Sequence, residues 1–302
     1  MSIAMQKTIK RPIHVQGVGL HSGKLVKMRA LPAPAGSGII FKRIDLEIPI
    51  LIPVKVDAIE EALLCTRLSS QASQASQGSA QEGRVSVSTI EHLLSALCAL
   101  EIDNILFEID ADEVPIMDGS ASSYIFLLQS AGITEQEENR RFLKIKNTIR
   151  IEDPQDKNKY AEFSPTQKGL EIQYSIDFEH PIISSTAQSI HIYFQPTTYI
   201  KEISRARTFG FIKDLEMLQA NNLARGASLE NAIGLTDDAV MNPEGLRYQD
   251  EFVRHKLLDA IGDLYVAGPI LGKFTGHKTS HTLNNQLLRK LLSSPDNYEW
   301  VS

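Results

Sequence analysis

The sequence predicts an α+β fold made of two similar domains, each a β-sheet layered on helices. Three observations carry this expectation. Strand-like segments are followed by helical ones, and the same order recurs in the second half of the chain. A charged stretch, Thr134–Arg141 (TEQEENRR), reads as a linker between the halves. A length of 302 residues suits two cores better than one. The expected division is residues 1–133, a linker at 134–141, and residues 142–302.

The elements follow in order. Thr8–Val18 and Leu25–Ala30 are β-rich and are joined through Gly17–Gly23 (GVGLHSG), whose three glycines imply a tight turn or close backbone approach. Pro32–Gly36 is a loop, and Ile50–Val56 a short strand. Ser69–Glu82 (SSQASQASQGSAQE) has no apolar face to bury and reads as a mobile surface loop. Arg84–Val87 leads into a helix at Thr89–Leu100, then a strand at Asn104–Ile109 and a helix at Ser120–Ala131. In the second half Phe142–Glu152, Tyr160–Phe163, Leu170–Phe178 and Ser189–Phe194 alternate, which suggests a meander with one buried face. Helices are expected at Lys213–Asn221 and Asp250–Val266, and a last one, Asn284–Ser293, is expected to close the chain.

Composition excludes several classes of function. The net charge of −6 lacks the basic field that non-specific nucleic-acid binding needs. No apolar run approaches the ~20 residues that span a bilayer. The first residues, MSIAMQKTIKRPIHV, lack the apolar core of a secretory signal, so a cytoplasmic protein is expected. Two cysteines, Cys65 and Cys98, build no disulfide framework. Eight histidines supply metal ligands or proton carriers.

The helix at Asp250–Val266 (DEFVRHKLLDAIGDLYV) is the most informative segment. At 100° per residue, His255, Lys256, Asp259 and Asp263 share one arc roughly 100° wide, while Val253, Leu257, Leu258, Ala260, Ile261 and Leu264 face the other way. Gly262 beside the polar arc would admit something bulky. His255 and Asp259, at i and i+4, can reach one metal ion from a single face. Taken alone, the same pattern fits a solvated ladder of ion pairs.

Ser88–His92 (STIEH) has two readings. Ser88 and Glu91 fit a capping box, in which Glu91 only secures the helix start. His92, however, lies roughly 200° from Ile90, away from the apolar stripe of Ile90, Leu93, Leu94 and Leu97. If His92 joins His255 and Asp259, the result is a His₂–carboxylate site with an open position, the pattern of catalytic zinc, and Glu91 stands beside it as a base. Two further segments stay open. Gly276–His281 (GHKTSH) is either a solvated turn or a loop that aims His281 at a cleft, and Ile203–Phe211 (ISRARTFGF) could equally be an edge strand.

Six motifs occur in order along the chain: Gly17–Gly23 (GVGLHSG), Thr89–His92 (TIEH), Pro115–Ala121 (PIMDGSA), Ser204–Phe211 (SRARTFGF), Asp250–Asp263 (DEFVRHKLLDAIGD) and Lys278–Asn285 (KTSHTLNN). Together they resemble the zinc-dependent UDP-3-O-acyl-N-acetylglucosamine deacetylases of lipid A biosynthesis, over essentially the whole chain from Thr8. The resemblance implies two α+β domains with the active site between them. It assigns zinc to His92, His255 and Asp259, the general base to Glu91, the general acid to His281 and its orientation to Asp263. It gives Thr208 a part in stabilising the oxyanion and Lys256 a contact with substrate.

The same resemblance places an acyl passage in an insert around 203–228, with Phe209, Phe211 and Leu215 from Phe209–Leu218 and Ala227 from Gly226–Ser228. Lys278 would meet phosphate, Phe178 would stack on uracil, and Cys65 joins the substrate-contacting residues. The implied cofactor is Zn²⁺, with Fe²⁺ also suited to these ligands. The implied substrate is a nucleotide-sugar lipid, and a monomer is expected. Two departures stand out: Ser69–Glu82 is longer than the family's turn, and Ser280 replaces a glycine before His281. Against this reading stand a deacetylase for another N-acetylated sugar, which has no use for an acyl passage, and a binding module with a fully enclosed structural ion.

Overall fold

The computed structural model describes residues 4–71 and 84–302. The first half runs β1 (Met5–Ile9), β2 (Ile13–Val18), β3 (Leu25–Pro32), β4 (Ile39–Arg43) and β5 (Ile50–Pro53). A 3₁₀ turn (Val56–Ala58) leads to β6 (Ile59–Glu60), β7 (Arg67–Gln71) and β8 (Arg84–Ser88). Then come α1 (Glu91–Leu100), β9 (Ile105–Ile109), α2 (Ser122–Ser130) and β10 (Ile133–Asn139). In the second half β11 (Phe142–Ile145), β12 (Ile149–Glu152), β13 (Tyr160–Ser164) and β14 (Leu170–Ser175) precede α3 (Pro181–Ser184), β15 (Ser189–Tyr193) and α4 (Pro196–Glu202). β16 (Phe209–Phe211), α5 (Ile212–Ala220), β17 (Ile233–Leu235), α6 (Glu251–Tyr265), β18 (Ile270–His277), α7 (His281–Leu292) and β19 (Tyr298–Val301) complete the chain. The mixture of several sheets with helices is the α+β class expected from the sequence.

One sheet, in the order β2-β3-β9-β4-β5, belongs to the first half, and β6-β7-β8 form a smaller one. Residues along β3 alternate exposed and buried, so one pleat face meets the core while the other meets water. The second half builds a seven-stranded sheet around β18, which pairs with β13 antiparallel and with β14 and β11 parallel. β18 shows the same alternation, with Ile270, Gly272, Phe274 and Gly276 turned inward.

Between these layers α1 and α6 pack against each other more extensively than any other pair of elements. All ten residues of α1 are buried, because sheet and helices enclose it. The approach is set by Gly262: a Cβ there would stand 1.9 Å from the carbonyl oxygen of Glu91. Gly262 therefore makes room for the backbone of α1, and not for a bulky ligand as its place in the sequence suggested.

Several expectations change. Thr134–Arg141 is not a free linker, since β10 pairs antiparallel with β1 from Ile9–Ile133 to Met5–Asn139. Its charges suit an edge strand with solvent on one face. The second half is not a simple meander, because the long-range strand β18 inserts between β13 and β14. The chain closes on β19, paired with β11, and not on a helix. Thr8–Val18 and Phe142–Glu152 each divide into two strands, and β4 was not anticipated. Of Ser69–Glu82, residues 69–71 belong to β7, and the rest lies outside the described residues. Among the described residues no helix is long and apolar enough to cross a membrane.

Gly262→Ala is expected to force α1 and α6 apart and to cost about 3 kcal/mol, the scale of overpacking a tight interior. Chemical denaturation of the variant beside the unmodified protein measures this.

Candidate active site

Two elements present the first cluster. α1 starts at Glu91 directly after β8, through Thr89 in the left-handed region (φ 59). Thr89 holds that turn by donating from Oγ1 to the buried Glu113 at 3.0 Å. The capping-box reading does not survive. Ser88 lies in β8 and donates to the Asp112 carbonyl, Ile90 takes the N-cap position, and no side chain caps the helix. Glu91 is thereby left free for the site.

His92 from α1 and His255 from α6 meet edge to face, with ring centroids 4.9 Å apart and planes at 87°. Asp259, one turn after His255, sets Oδ1 3.2 Å from His92 Nε2 and 3.3 Å from His255 Nε2. All three side chains are buried. His255 Nδ1 lies 3.0 Å from the Ala206 carbonyl, which can only accept, so Nδ1 carries the hydrogen and Nε2 presents a lone pair. Burial pushes the His255 imidazole down to about 3, so it is neutral at physiological pH. Asp259 Oδ1 is buried without a hydrogen-bond donor, while Oδ2 accepts from Lys256 Nζ at 2.9 Å. Lone pairs that converge within 4.8 Å of one another in a buried site call for a cation, and this donor set fits a divalent ion.

The second cluster is Glu91, Asp263 and His281. The Asp263 carboxylate accepts from His281 Nδ1 at 2.9 Å, from Asn284 Nδ2 at 2.9 Å and from Thr66 Oγ1 at 2.6 Å. Thr66 also donates its amide to Glu91 Oε2 at 3.0 Å, so one residue tethers both carboxylates. Burial opposes charge on His281, but the Asp263 carboxylate, and Glu91 after it, outweigh burial and raise the imidazole to about 9. Burial raises the Glu91 carboxyl, partly countered by His281 and His92. The site thus pairs a base of raised affinity for protons with a histidine charged at neutral pH.

His281 is not in a loop: it is the first residue of α7, and Ser280 is its N-cap, accepting from the Leu283 amide at 3.2 Å. Ser280 has φ −120, an extended conformation open to any residue, so the departure from glycine costs no strain and adds a cap. A cleft of about 300 Å³ opens over both clusters, lined by Ala62–Leu64, Tyr174, Lys256, Asp259, Asp263, Thr279–Thr282 and Asn284.

The substrate-side expectations fall into groups. Phe209 and Phe211 of β16 cluster with Phe178, at centroid distances of 5.7 and 6.2 Å, and Phe209 reaches to 6.3 Å from His255. Lys256 Nζ sits 5.9 Å from the Phe209 ring. Phe178 therefore stands among the aromatic residues assigned to the acyl passage. Leu215 is half-buried on α5, a helix with no fully buried residue. Ala227 lies in a turn whose Arg225 and Gly226 amides donate to the carbonyls of His21 and Leu20. Neither Leu215 nor Ala227 lines the 300 Å³ cleft. Lys278 pairs with Asp177 at 2.9 Å. Cys65 is buried, and burial, with Glu91 adding to it, pushes its thiol up to about 12. It stays a neutral wall between Glu91 and a neighbouring cleft of about 690 Å³ that His21 and Arg67 also line.

Thr208 follows the Ala206 carbonyl that holds His255, and its backbone is fixed by Gly119 and Ile233. Sequence reasoning missed Thr66 and Asn284. Asn284 had a signal, since it lies three residues after His281 on one helix. Thr66 had none, because its partners are 25 and 197 residues away.

A family model described as UDP-3-O-acyl N-acetylglycosamine deacetylase (LpxC) matches residues 6–293. The chain belongs to that family. It is 50% identical over 298 residues to the UDP-3-O-acyl-N-acetylglucosamine deacetylase of Hydrogenovibrio crunogenus, covering 98% of this chain and 94% of the relative. The enzymes of the same name from Shewanella sp. (strain W3-18-1) and Shewanella oneidensis are also 50% identical, over 98% of this chain and 92% of theirs.

Asp263→Asn removes the charge that holds the proton on His281. The His281 titration, followed by NMR, is expected to fall from about 9 by about 1–3 units. The sign is fixed: a raised imidazole contributes stability below its unfolded value of about 6.5 that is lost as pH rises through the folded value. The variant should therefore lose its stability deficit against the parent at alkaline pH.

Proposed function

We propose that this protein hydrolyses the N-acetyl amide of UDP-3-O-acyl-N-acetylglucosamine, releasing acetate and the free amine, an early step of lipid A biosynthesis. One observation carries the reading: a three-ligand cluster with converging lone pairs stands beside a separate acid–base pair, and Glu91 and His92 join them as consecutive residues. His92, His255 and Asp259 would hold Zn²⁺, with Fe²⁺ the alternative. When bound, the ion supplies Lewis acidity that lowers the pKa of water and polarises the acetamide carbonyl.

The remaining work falls to the chain's own side chains. Glu91, buried and raised in proton affinity, takes the proton of the attacking water. Thr208 would steady the charge that develops on the carbonyl oxygen, and Lys256, whose ammonium lies 2.9 Å from Asp259 Oδ2, would contact the substrate. His281 donates from Nε2 to the leaving nitrogen, because Asp263 occupies Nδ1 and keeps the ring protonated at neutral pH. Asp263, held by Thr66 and Asn284 as well, stays an acceptor throughout. The aromatic strip of Phe209, Phe211 and Phe178 offers an acyl chain an apolar wall, and Lys278 offers the diphosphate a cation. That wall favours a lipid-bearing substrate over a simple N-acetylated sugar.

Acetate release from UDP-3-O-acyl-N-acetylglucosamine should vanish on chelation and return with Zn²⁺. Glu91→Ala and His281→Ala should each lower kcat by about 10²–10⁴-fold. Full activity in chelator, or equal turnover of UDP-N-acetylglucosamine without the acyl chain, would overturn this reading.

A further inference from the structure

Among the described residues Arg207 is the bulkiest of the fully buried side chains, 1% exposed, and Glu251, its main partner, is 0% exposed. A buried ion pair of this kind is weak evidence for stability, since apolar residues of similar volume often serve as well. Its geometry shows what it does. Glu251 Oε1 accepts both the backbone amide of Arg207, at 3.0 Å, and its Nε, at 2.9 Å. Oε2 accepts Nη2 at 3.2 Å and the amide of Arg247 at 2.5 Å. Nη1 goes to Glu244 and Nη2 also to the Gly245 carbonyl at 2.7 Å, so every nitrogen of the guanidinium is engaged. One carboxylate thus grips a residue by its main chain and its side chain at once.

Of the residues on either side of Arg207, one meets the site and the other is held by its backbone. Ala206 turns its carbonyl to His255 Nδ1 at 3.0 Å, and Thr208 is fixed through its own amide and carbonyl to Gly119 and Ile233. Glu251 stands on α6 one turn before His255, which stands one turn before Asp259. The segment that leads into β16 is therefore held against the helix that carries the two ligands.

We propose that Glu251 and Arg207 are positioning residues for the metal site. By fixing Ala206 against α6 they hold His255 in the tautomer and ring orientation that leave Nε2 free for the ion, and they set Thr208 at the same time. Partners that orient a ligating histidine in this way carry about 10–100-fold in metal affinity or activity. The proposal rests on the reading of His255 as a ligand, and its test separates the two.

Metal-free protein is prepared as Glu251→Gln, Arg207→Lys, Glu244→Gln and His255→Ala. Zn²⁺ affinity is measured by chelator competition, and kcat and KM are measured at saturating Zn²⁺. Glu251→Gln and Arg207→Lys should bind Zn²⁺ about 10–100-fold more weakly and lose kcat, with KM little changed. Lysine keeps the charge but not the fork, so it should not restore the site. Glu244, 56% exposed and meeting the guanidinium at its outer Nη1, serves as the control, and Glu244→Gln should bind as the parent does. Parent-like affinity in folded Glu251→Gln, beside weak binding in His255→Ala, overturns the clamp alone. Parent-like affinity in His255→Ala overturns the ligand assignment and the clamp with it. If Glu251→Gln and Arg207→Lys do not fold, imidazole ¹⁵N shifts of the metal-free parent decide: Nδ1–H on His255 supports the clamp, and Nε2–H overturns it.

Discussion

The close contact of α1 with α6 is the constraint on which the site depends. Each helix carries one imidazole, and neither could assemble three ligand atoms with the other helix a normal packing distance away. Gly262 removes the side chain that would keep them apart, and the Glu91 carbonyl occupies the space. The result is a buried group of two rings and a carboxylate whose oxygen lacks a donor. Such an arrangement is unfavourable by itself, because buried acceptors without partners cost roughly 1–3 kcal/mol. It persists because the surrounding helices over-determine it, and a cation would relieve it.

The second consequence of that contact is a division of labour between two aspartates on one helix. Asp259 and Asp263 are one turn apart, yet their surroundings differ. Asp259 faces two imidazole nitrogens and a lysine, whereas Asp263 is saturated by His281, Asn284 and Thr66. The first environment leaves an oxygen available to an ion. The second leaves none, and commits the carboxylate to holding a charged imidazole. Thr66, just before β7, ties this acid side to the base side through its amide on Glu91, so one residue bridges α1 and α6 at the reacting centre.

Precision at the site comes from groups that never face the cleft. Glu113 anchors the turn before α1, Ser280 caps the helix of the acid, and the buried Glu251–Arg207 pair fixes the backbone that meets His255. Beside it the aromatic strip packs against the core, Phe209 meeting the buried Phe252 edge to face at 5.1 Å, whereas α5 contributes no buried residue.

Local periodicity determined much of this in advance. The polar arc of His255, Lys256, Asp259 and Asp263 is a property of 3.6 residues per turn, and it placed four site residues on one face without any knowledge of the fold. The same logic removed His92 from the apolar stripe, and alternation identified β13 and β14 as strands with one buried face. Local rules failed where a long-range partner overrode them. Ser88 and Glu91 satisfy a capping pattern, but Thr66 and the site claim Glu91, and β8 claims Ser88. Thr134–Arg141 has a linker's composition, but β1 provides an edge. Gly262 is permissive in sequence, and only the approach of α1 says what it admits. The sequence by itself determined which faces are polar and which residues could do chemistry, since those follow from neighbours three or four positions away. Only the tertiary structure decided which of them meet, because contacts such as Thr66 to Asp263 span nearly 200 residues and depend on packing that no local pattern encodes.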